Sequence, residues 1–258
     1  MSKDVEQRGD RTACTRALRS LLWRSLDSAL QPAVEKQLSE IERLIAAGGA
    51  PIEAFQRVYS ATRAEAVRKL VAREGSPARR EKTQRLLAEF LPDQPALDGP
   101  DFHCDAGLGG LARLLRAAGY DAAFWPGIDD DELLQTVLAG DAILLTNDTT
   151  LMRRGVITRG VVPALLVPIA LDKRGQFEHV VHRLDLPLCS PRCMACGGRL
   201  LAVEKESVRD RIPPRTYPWR DDYFLCERCG KLFWQGTHWE KIRRCLQDVA
   251  RSKSPHER

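Results

Sequence analysis

The sequence predicts an α/β protein, a parallel sheet flanked by helices, preceded by a helical region and followed by a small cysteine-rich unit. Three observations predict it. Between residues 102 and 184 short apolar runs alternate with amphipathic ones. Residues 1–92 carry helical periodicity alone, and beyond residue 188 two Cys-x-x-Cys pairs stand among short hairpin-like pieces. With 258 residues the chain exceeds one average domain, and these changes of texture divide it at 1–95, 101–188 and 189–250.

In the first region Leu30, Val34, Leu38, Ile41 and Ile45 recur at three- and four-residue spacing, one apolar stripe of a helix that Gly48-Gly49 ends. Pro51 suits the first turn of the next helix, whose stripe is Phe55, Val58, Tyr59, Val67, Leu70 and Val71. A helical hairpin or small bundle follows, with the stripes as core and Arg79, Arg80, Lys82 and Arg85 as a solvated basic face. The same helices are a candidate surface for a protein partner or self-association. The Pro- and Gly-rich stretch 91–100 reads as a linker.

The middle region reads as strand 102–105, helix 108–118, strand 122–125, helix 130–138, strand 142–145, strand 164–169 and helix 177–184. The run Ala142-Ile143-Leu144-Leu145 is apolar at every position, as a strand buried on both faces requires. Strands alternating with helices imply a parallel sheet. A last helix is expected over 237–249.

The apolar share, 43%, is that of an ordinary globular protein, which excludes collagen-like and wholly disordered chains. The longest apolar run, 161–171, contains Pro163 and Pro168 and is too short to span a bilayer. With a polar start, Met1-Ser2-Lys3-Asp4, a soluble, cytoplasmic protein is expected. The net charge of +5 conceals an asymmetry: +3 over residues 1–100, −4 over 101–188 and +6 over 189–258. An acidic middle beside a basic end fits a site for cations next to a surface for phosphates.

Four of the eight cysteines form the pairs Cys193–Cys196 and Cys226–Cys229. A zinc knuckle needs two thiolates on a tight turn, and Gly197 and Gly230 follow the second cysteine of each pair. Two knuckles complete a closed, structural Zn²⁺ site. The interval 197–225, about thirty residues, exceeds the roughly 15–20 of the commonest spacing, so the basic stretch 209–220 is expected to be an insertion. Cys189 and His238 are spare candidate ligands.

Three acids fall where a parallel sheet gathers residues. Asp105 ends the first strand, Asp130 opens the helix after the second, and Asp148 follows the third. Strand C-termini and the helix starts after them share one edge. Carboxylates collected there repel and raise one another's pKa unless cations intervene. Mg²⁺ or Mn²⁺ suits such oxygen ligands, and hydrolysis of a phosphodiester is the matching chemistry. The same residues have a structural use: Asp129 to Glu132 would cap a helix, and Asp148 a turn. Arg113 and Arg116, three apart on one helix, are candidate phosphate contacts. In the last region Tyr217, Trp219, Phe233, Trp234, His238 and Trp239 interleave with Arg215, Arg220, Lys231 and Lys241, a pattern able to hold unpaired bases as well as to form a small core.

The run Phe102-His103-Cys104-Asp105 through Leu108-Gly109-Gly110-Leu111-Ala112-Arg113 resembles the opening of the Mut-seven C-terminal ribonuclease family. The Asp-x-Glu-Leu helix start at Asp130, the Leu-Leu-Thr-x-Asp strand end at Leu144 to Asp148, both cysteine pairs and Trp-x-Gly-x-His at Trp234 to His238 match in order. The resemblance covers about residues 101–246. It implies a PIN-like three-layer nuclease domain with an appended zinc ribbon, acting as a metal-dependent endoribonuclease on single-stranded RNA. Asp105, Asp130 and Asp148 would hold Mg²⁺ or Mn²⁺, Asp131 is the nearest candidate for a fourth acid (Asp221 and Asp222 are others), and Trp234 and His238 would join Arg113 and Arg116 in holding substrate. The one departure is Asn147, where that family carries arginine. The rival expectation is a non-catalytic zinc-ribbon adaptor that binds RNA or the ribosome.

Overall fold

The computed structural model describes residues 2–25, 29–91, 93 and 99–252, with side chains from residue 11 onward. Most of the stretch read as a linker lies outside the described residues. Four helices open the chain: α1 (Ser2–Trp23), α2 (Leu30–Ala46), α3 (Pro51–Ala72) and α4 (Pro77–Phe90). Pro51 and Pro77 stand at the first positions of α3 and α4, where a missing N–H costs nothing. The apolar stripes of α2 and α3 face inward: Leu30, Val34, Leu38 and Ile41 are buried, as are Phe55, Val58, Tyr59 and Leu70.

The sheet contains β1 (Phe102–Cys104), β2 (Ala122–Phe124), β3 (Ile143–Thr146) and β4 (Ala164–Leu166), parallel throughout in the order β2-β1-β3-β4. Along β3 the side chains alternate between two cores. Ile143 and Leu145 join one with α5 (Gly109–Ala117) and α8 (Lys173–Arg183). Leu144 joins another with Leu133, Leu134 and Val137 of α6 (Asp130–Gly140) and Ile157 of α7 (Gly155–Thr158). This gives the expected three layers, and explains why β3 had to be apolar at every position. The β3–β4 connection holds α7 and a short 3-10 turn, Leu151–Arg153, for which the sequence pattern gave no sign. Its elements are under two turns long, too short for a periodicity to register. Strand β4 stops at Leu166 rather than at Ile169.

The C-terminal unit is an antiparallel sheet of β5 (Leu200–Val203), β6 (Tyr223–Cys226) and β7 (Leu232–Trp234), followed by α9 (Thr237–Arg251). Two 3-10 turns, Lys205–Arg211 and Tyr217–Trp219, fill the insertion between β5 and β6. Among the described residues no helix is long and apolar enough to cross a membrane.

One continuous apolar core runs from Leu18 and Leu21 of α1 through Phe102, Tyr120 and Phe177 to Leu246 and Val249 of α9. At about 1.5–3 kcal/mol for each fully buried large side chain, this shared core binds the three regions together. The polar contacts of α1 reach the N-terminal ends of the strands. Trp23 Nε1 donates to Ala164 O at 3.2 Å and Arg24 Nε to Val161 O at 3.3 Å. Arg24 Nη2 pairs with Asp141, just before β3, at 2.8 Å, with both side chains about 3% exposed. The bundle therefore closes the lower edge of the sheet.

Candidate active edge and zinc ribbon

At the upper edge, Asp105 follows β1 and is only 8% exposed. Its Oδ1 accepts from Ala106 N at 2.6 Å, capping the 3-10 turn Ala106–Leu108, and its Oδ2 accepts from Thr146 Oγ1 at 2.6 Å. Thr146 Oγ1 in turn accepts from Asp148 N at 2.9 Å. One hydroxyl thus ties the end of β1 to the end of β3. Asp148 Oδ1 caps its own turn through Thr150 N at 2.6 Å, so the structural use foreseen for Asp148 is real and occupies one oxygen. Asp130 opens α6, with Asp129, not Asp130, as the capping residue through Glu132 N. Burial raises the pKa of the Asp130 carboxyl, and the charges of Asp148 and Asp105 raise it further. The three acids therefore face one electrostatic neighbourhood. Arg154 counters them: its charge favours the ionised Asp130, and its Nη2 holds Asp131 Oδ1 at 2.8 Å.

The remaining candidates separate cleanly. Asp131 is 80% exposed and committed to Arg154. Asp221 pairs with Lys205 in the ribbon, and Asp222 is exposed there, so neither reaches the edge. Asn147 lies against Gly107, where a Cβ would come within 2.9 Å of its Nδ2. Arg113 is exposed on the first turns of α5. Arg116 is placed elsewhere: it is buried, with Nε on Ala122 O at 2.8 Å and Nη1 on the carbonyls of Met194 and Ala195 at 3.1 and 2.9 Å. Three carbonyls take three of its five N–H groups and the side chain is buried, so in place of the expected phosphate contact it anchors the ribbon. Trp234 and His238 line a cavity beside α9, away from the acids.

Thr146 and Arg154 were missed from the sequence. Thr146 stood in the Leu-Leu-Thr-x-Asp run, and a hydroxyl inside an apolar strand was its signal. Arg154 lay in the connection that showed no periodicity.

The acidic edge offers hard oxygen donors: each Asp105 oxygen keeps a lone pair, Asp148 has a second oxygen, and Asp130 accepts no hydrogen bond among the described residues. That donor set suits Mg²⁺ or Mn²⁺. The acids are spread more widely than a closed cage. Among the described residues, the cysteine quartet is the one group of three or more ligand atoms mutually within 4.8 Å. A cation at the edge would keep part of its water shell, as Mg²⁺ ordinarily does.

The quartet fits zinc. Cys193 Sγ and Cys229 Sγ are 3.7 Å apart, and Cys196 Sγ and Cys226 Sγ 3.5 Å. Tetrahedral bonds of about 2.3 Å place sulfurs about 3.8 Å apart. Gly198 N and Cys229 N each approach a sulfur at 3.5 Å. Gly197 and Gly230 turn with φ of +82° and +67°, the left-handed geometry that glycine adopts without strain. Cys189 is outside the quartet, beside the Tyr120 hydroxyl and Pro187 O, and His238 is not a ligand.

The first knuckle sits on the nuclease-like unit through Asp121. That carboxylate receives Arg192 Nη2 at 3.2 Å and Arg228 Nη2 at 2.7 Å, while Arg192 Nε holds Gly197 O at 2.6 Å and Arg228 Nη1 holds Cys196 O at 2.7 Å. Asp121 precedes β2 and is level with Asp101. Asp105 lies four residues further up the neighbouring strand, roughly 13 Å away along it. The ribbon is therefore anchored at the lower edge, opposite the acids.

A three-layer α/β unit with an open acidic edge and a four-thiolate ribbon docked below defines a nuclease-type class of domain. The chain belongs to the Mut7-C RNAse domain family, whose model matches residues 100–246, more than half of its length. No curated protein and no solved structure matches it. The family carries a ribonuclease-type function, and the four helices before residue 100 lie outside the match.

Proposed function

We propose that this chain is a metal-dependent endoribonuclease that hydrolyses single-stranded RNA at the upper edge of its sheet. The observation that carries the reading is the convergence of Asp105, Asp130 and Asp148 on one edge, where Thr146 ties Asp105 to Asp148 and the charges of both bear on Asp130. Asp105, fixed by two hydrogen bonds, is the pre-oriented ligand. Asp130 and Asp148 complete the oxygen set, and Asp131 with Arg154 forms the outer rim. A divalent cation there supplies neutralising charge for the phosphoryl oxygens and lowers the pKa of water. Arg113 and Arg154 are the side chains able to hold phosphates beside the acids. Zinc in the cysteine quartet is structural, and the ribbon, with Trp234 and His238, assists RNA binding.

The test is cleavage of a labelled single-stranded RNA by the purified full-length protein with Mn²⁺, beside EDTA-treated and Asp105→Asn samples. Cleavage that disappears in both controls is expected. RNA binding with no cleavage in any sample would sink the enzyme reading in favour of the RNA-binding adaptor. That rival draws on the wide spacing of the acids.

A further inference from the structure

Between the face of the ribbon sheet and the start of α9 lies a cavity of about 550 Å³, walled by Met194, Leu200, Phe224, Trp234, His238 and Trp239. Its lining is overwhelmingly apolar and aromatic, and it carries polar atoms that no protein group occupies. The indole N–H groups of Trp234 and Trp239 and the ring nitrogens of His238 make no hydrogen bond among the described residues; His238 is exposed and both indoles are half-buried, so these groups are open to an incoming partner. Arg192, also on the wall, has its donors committed to Gly197 O and Asp121, so it holds the wall and leaves its charge neutralised.

The cations near the cavity lie around it rather than inside. Lys231 Nζ sits 5.9 Å from the centre of the Phe233 ring, and Lys241 is one turn along α9 from His238, on the same face. An occupant that suits this arrangement has flat apolar faces, accepts hydrogen bonds at its edge and is attached to a negatively charged chain. Those are the features of an unstacked nucleobase on a single strand.

We infer that this cavity is a nucleobase-binding pocket that grips single-stranded RNA at the ribbon, at a nucleotide remote from the scissile phosphodiester. The inference rests on the RNA reading above and adds a defined subsite to it. The pocket belongs to the ribbon, whose first knuckle is fixed near the C-terminal end of α5, and the acids stand beyond its N-terminal end. Nine helical residues separate those ends by about 13 Å, so the gripped base and the cut bond belong to different nucleotides.

The experiment uses the full-length protein with its zinc and no added Mg²⁺ or Mn²⁺, so that the RNA stays whole. Binding of a fluorescein-labelled RNA decamer is followed by anisotropy, alongside the same sequence annealed into a duplex. His238→Ala removes an exposed wall residue, and Trp234→Phe keeps an aromatic face, though a smaller one, while removing the indole N–H. Zinc content and thermal unfolding verify that both variants fold. Stacking on one aromatic residue is lost at a cost equivalent to about tenfold or more in affinity. The expected result is therefore at least tenfold weaker binding for the duplex and about tenfold weaker binding of the single strand by His238→Ala, with a smaller loss for Trp234→Phe. Equal affinity for single strand and duplex, or unchanged binding by both folded variants, would overturn the pocket. So would sedimentation showing that His238→Ala abolishes self-association without touching RNA affinity, since the occupant would then be a second copy of the chain. Pocket-dependent binding with no cleavage on adding Mn²⁺ supports the pocket and rejects only the nuclease reading.

Discussion

The two edges of the parallel sheet are built from the same residue type and do opposite things. An aspartate stands at each end of β1 and β3, Asp101 and Asp105, Asp141 and Asp148, and β2 lies between Asp121 and the Asp129–Asp130 pair. At the lower edge every one of these acids is answered. Asp141 has Arg24 and Ser20 on its Oδ1, Asp121 has Arg192 and Arg228, and Asp101 accepts Asp121 N at 2.8 Å with the charges of Arg19, Arg16 and Arg192 nearby. At the upper edge Asp105 and Asp148 meet amides and a hydroxyl, and Asp130 meets other carboxylates. Arg154 is the cation that acts on Asp130 among the described residues, and its direct bond goes to Asp131. The lower edge uses aspartate to assemble the molecule. The upper edge keeps aspartates whose charges a bound cation would balance.

The largest effect expected from disturbing this contrast is at the lower edge. Arg24→Met should leave Asp141 buried and uncompensated, at a cost of about 3–5 kcal/mol in chemical denaturation. A loss below 1 kcal/mol would mean that the bundle does not depend on this pair. Next comes a pH effect just above that edge. His103 is buried against Thr136 and Gly140. Thr136 Oγ1 already donates to Leu133 O, so His103 Nδ1 is the donor to Thr136, and Nε2 is left without a partner. Burial lowers the pKa of this imidazole from about 6.5 to about 4. The folded state thus resists a proton that the unfolded state accepts, so stability is complete above pH 6.5 and falls as pH drops toward 4. The total is of order 3 kcal/mol. His103→Gln should flatten that part of the stability–pH curve, and an unchanged slope would assign the loss to other groups.

At the upper edge the expected effects move from stability to activity. Thr146→Val frees Asp105 Oδ2 and should lower cleavage, or affinity for the divalent ion, by about 10–100-fold with little change in unfolding. Full activity would show that Asp105 needs no such orientation. The smallest effect sharpens the comparison most. Asp130→Asn should leave stability at neutral pH unchanged or slightly higher, because the carboxylate is held among like charges. A clear destabilisation would make Asp130 a structural cap after all.

Periodicity made the layers legible, because β3 and the helical stripes bury whole rows of side chains. The cysteine pairs made the ribbon legible, because thiolate spacing and a following glycine leave few alternatives. The division of labour among the aspartates was not legible. Asp121 and Asp105 each adjoin a strand, and only the fold reveals that arginines 71 and 107 residues downstream reach the first and not the second. Arg116 misled for the same reason. Its spacing from Arg113 fits an exposed helical face, but the carbonyls that capture it come from residues 194 and 195. The connection holding Arg154 was silent because its helical pieces are too short to repeat.

The buried pair between Arg24 and Asp141 also sets an order of events at the ribosome. Arg24 emerges 117 residues before its partner, and at about 5–20 residues per second that interval is of order 6–23 s. Once Phe90 has been made the four-helix bundle is long enough to assemble, while Leu18 and Leu21 still have no complete sheet to cover them. The nascent chain therefore spends its synthesis with an apolar, cationic surface facing outward. A slow step late in translation would lengthen that exposure, and a chaperone that shields the N-terminal helices would act before the acidic edge exists.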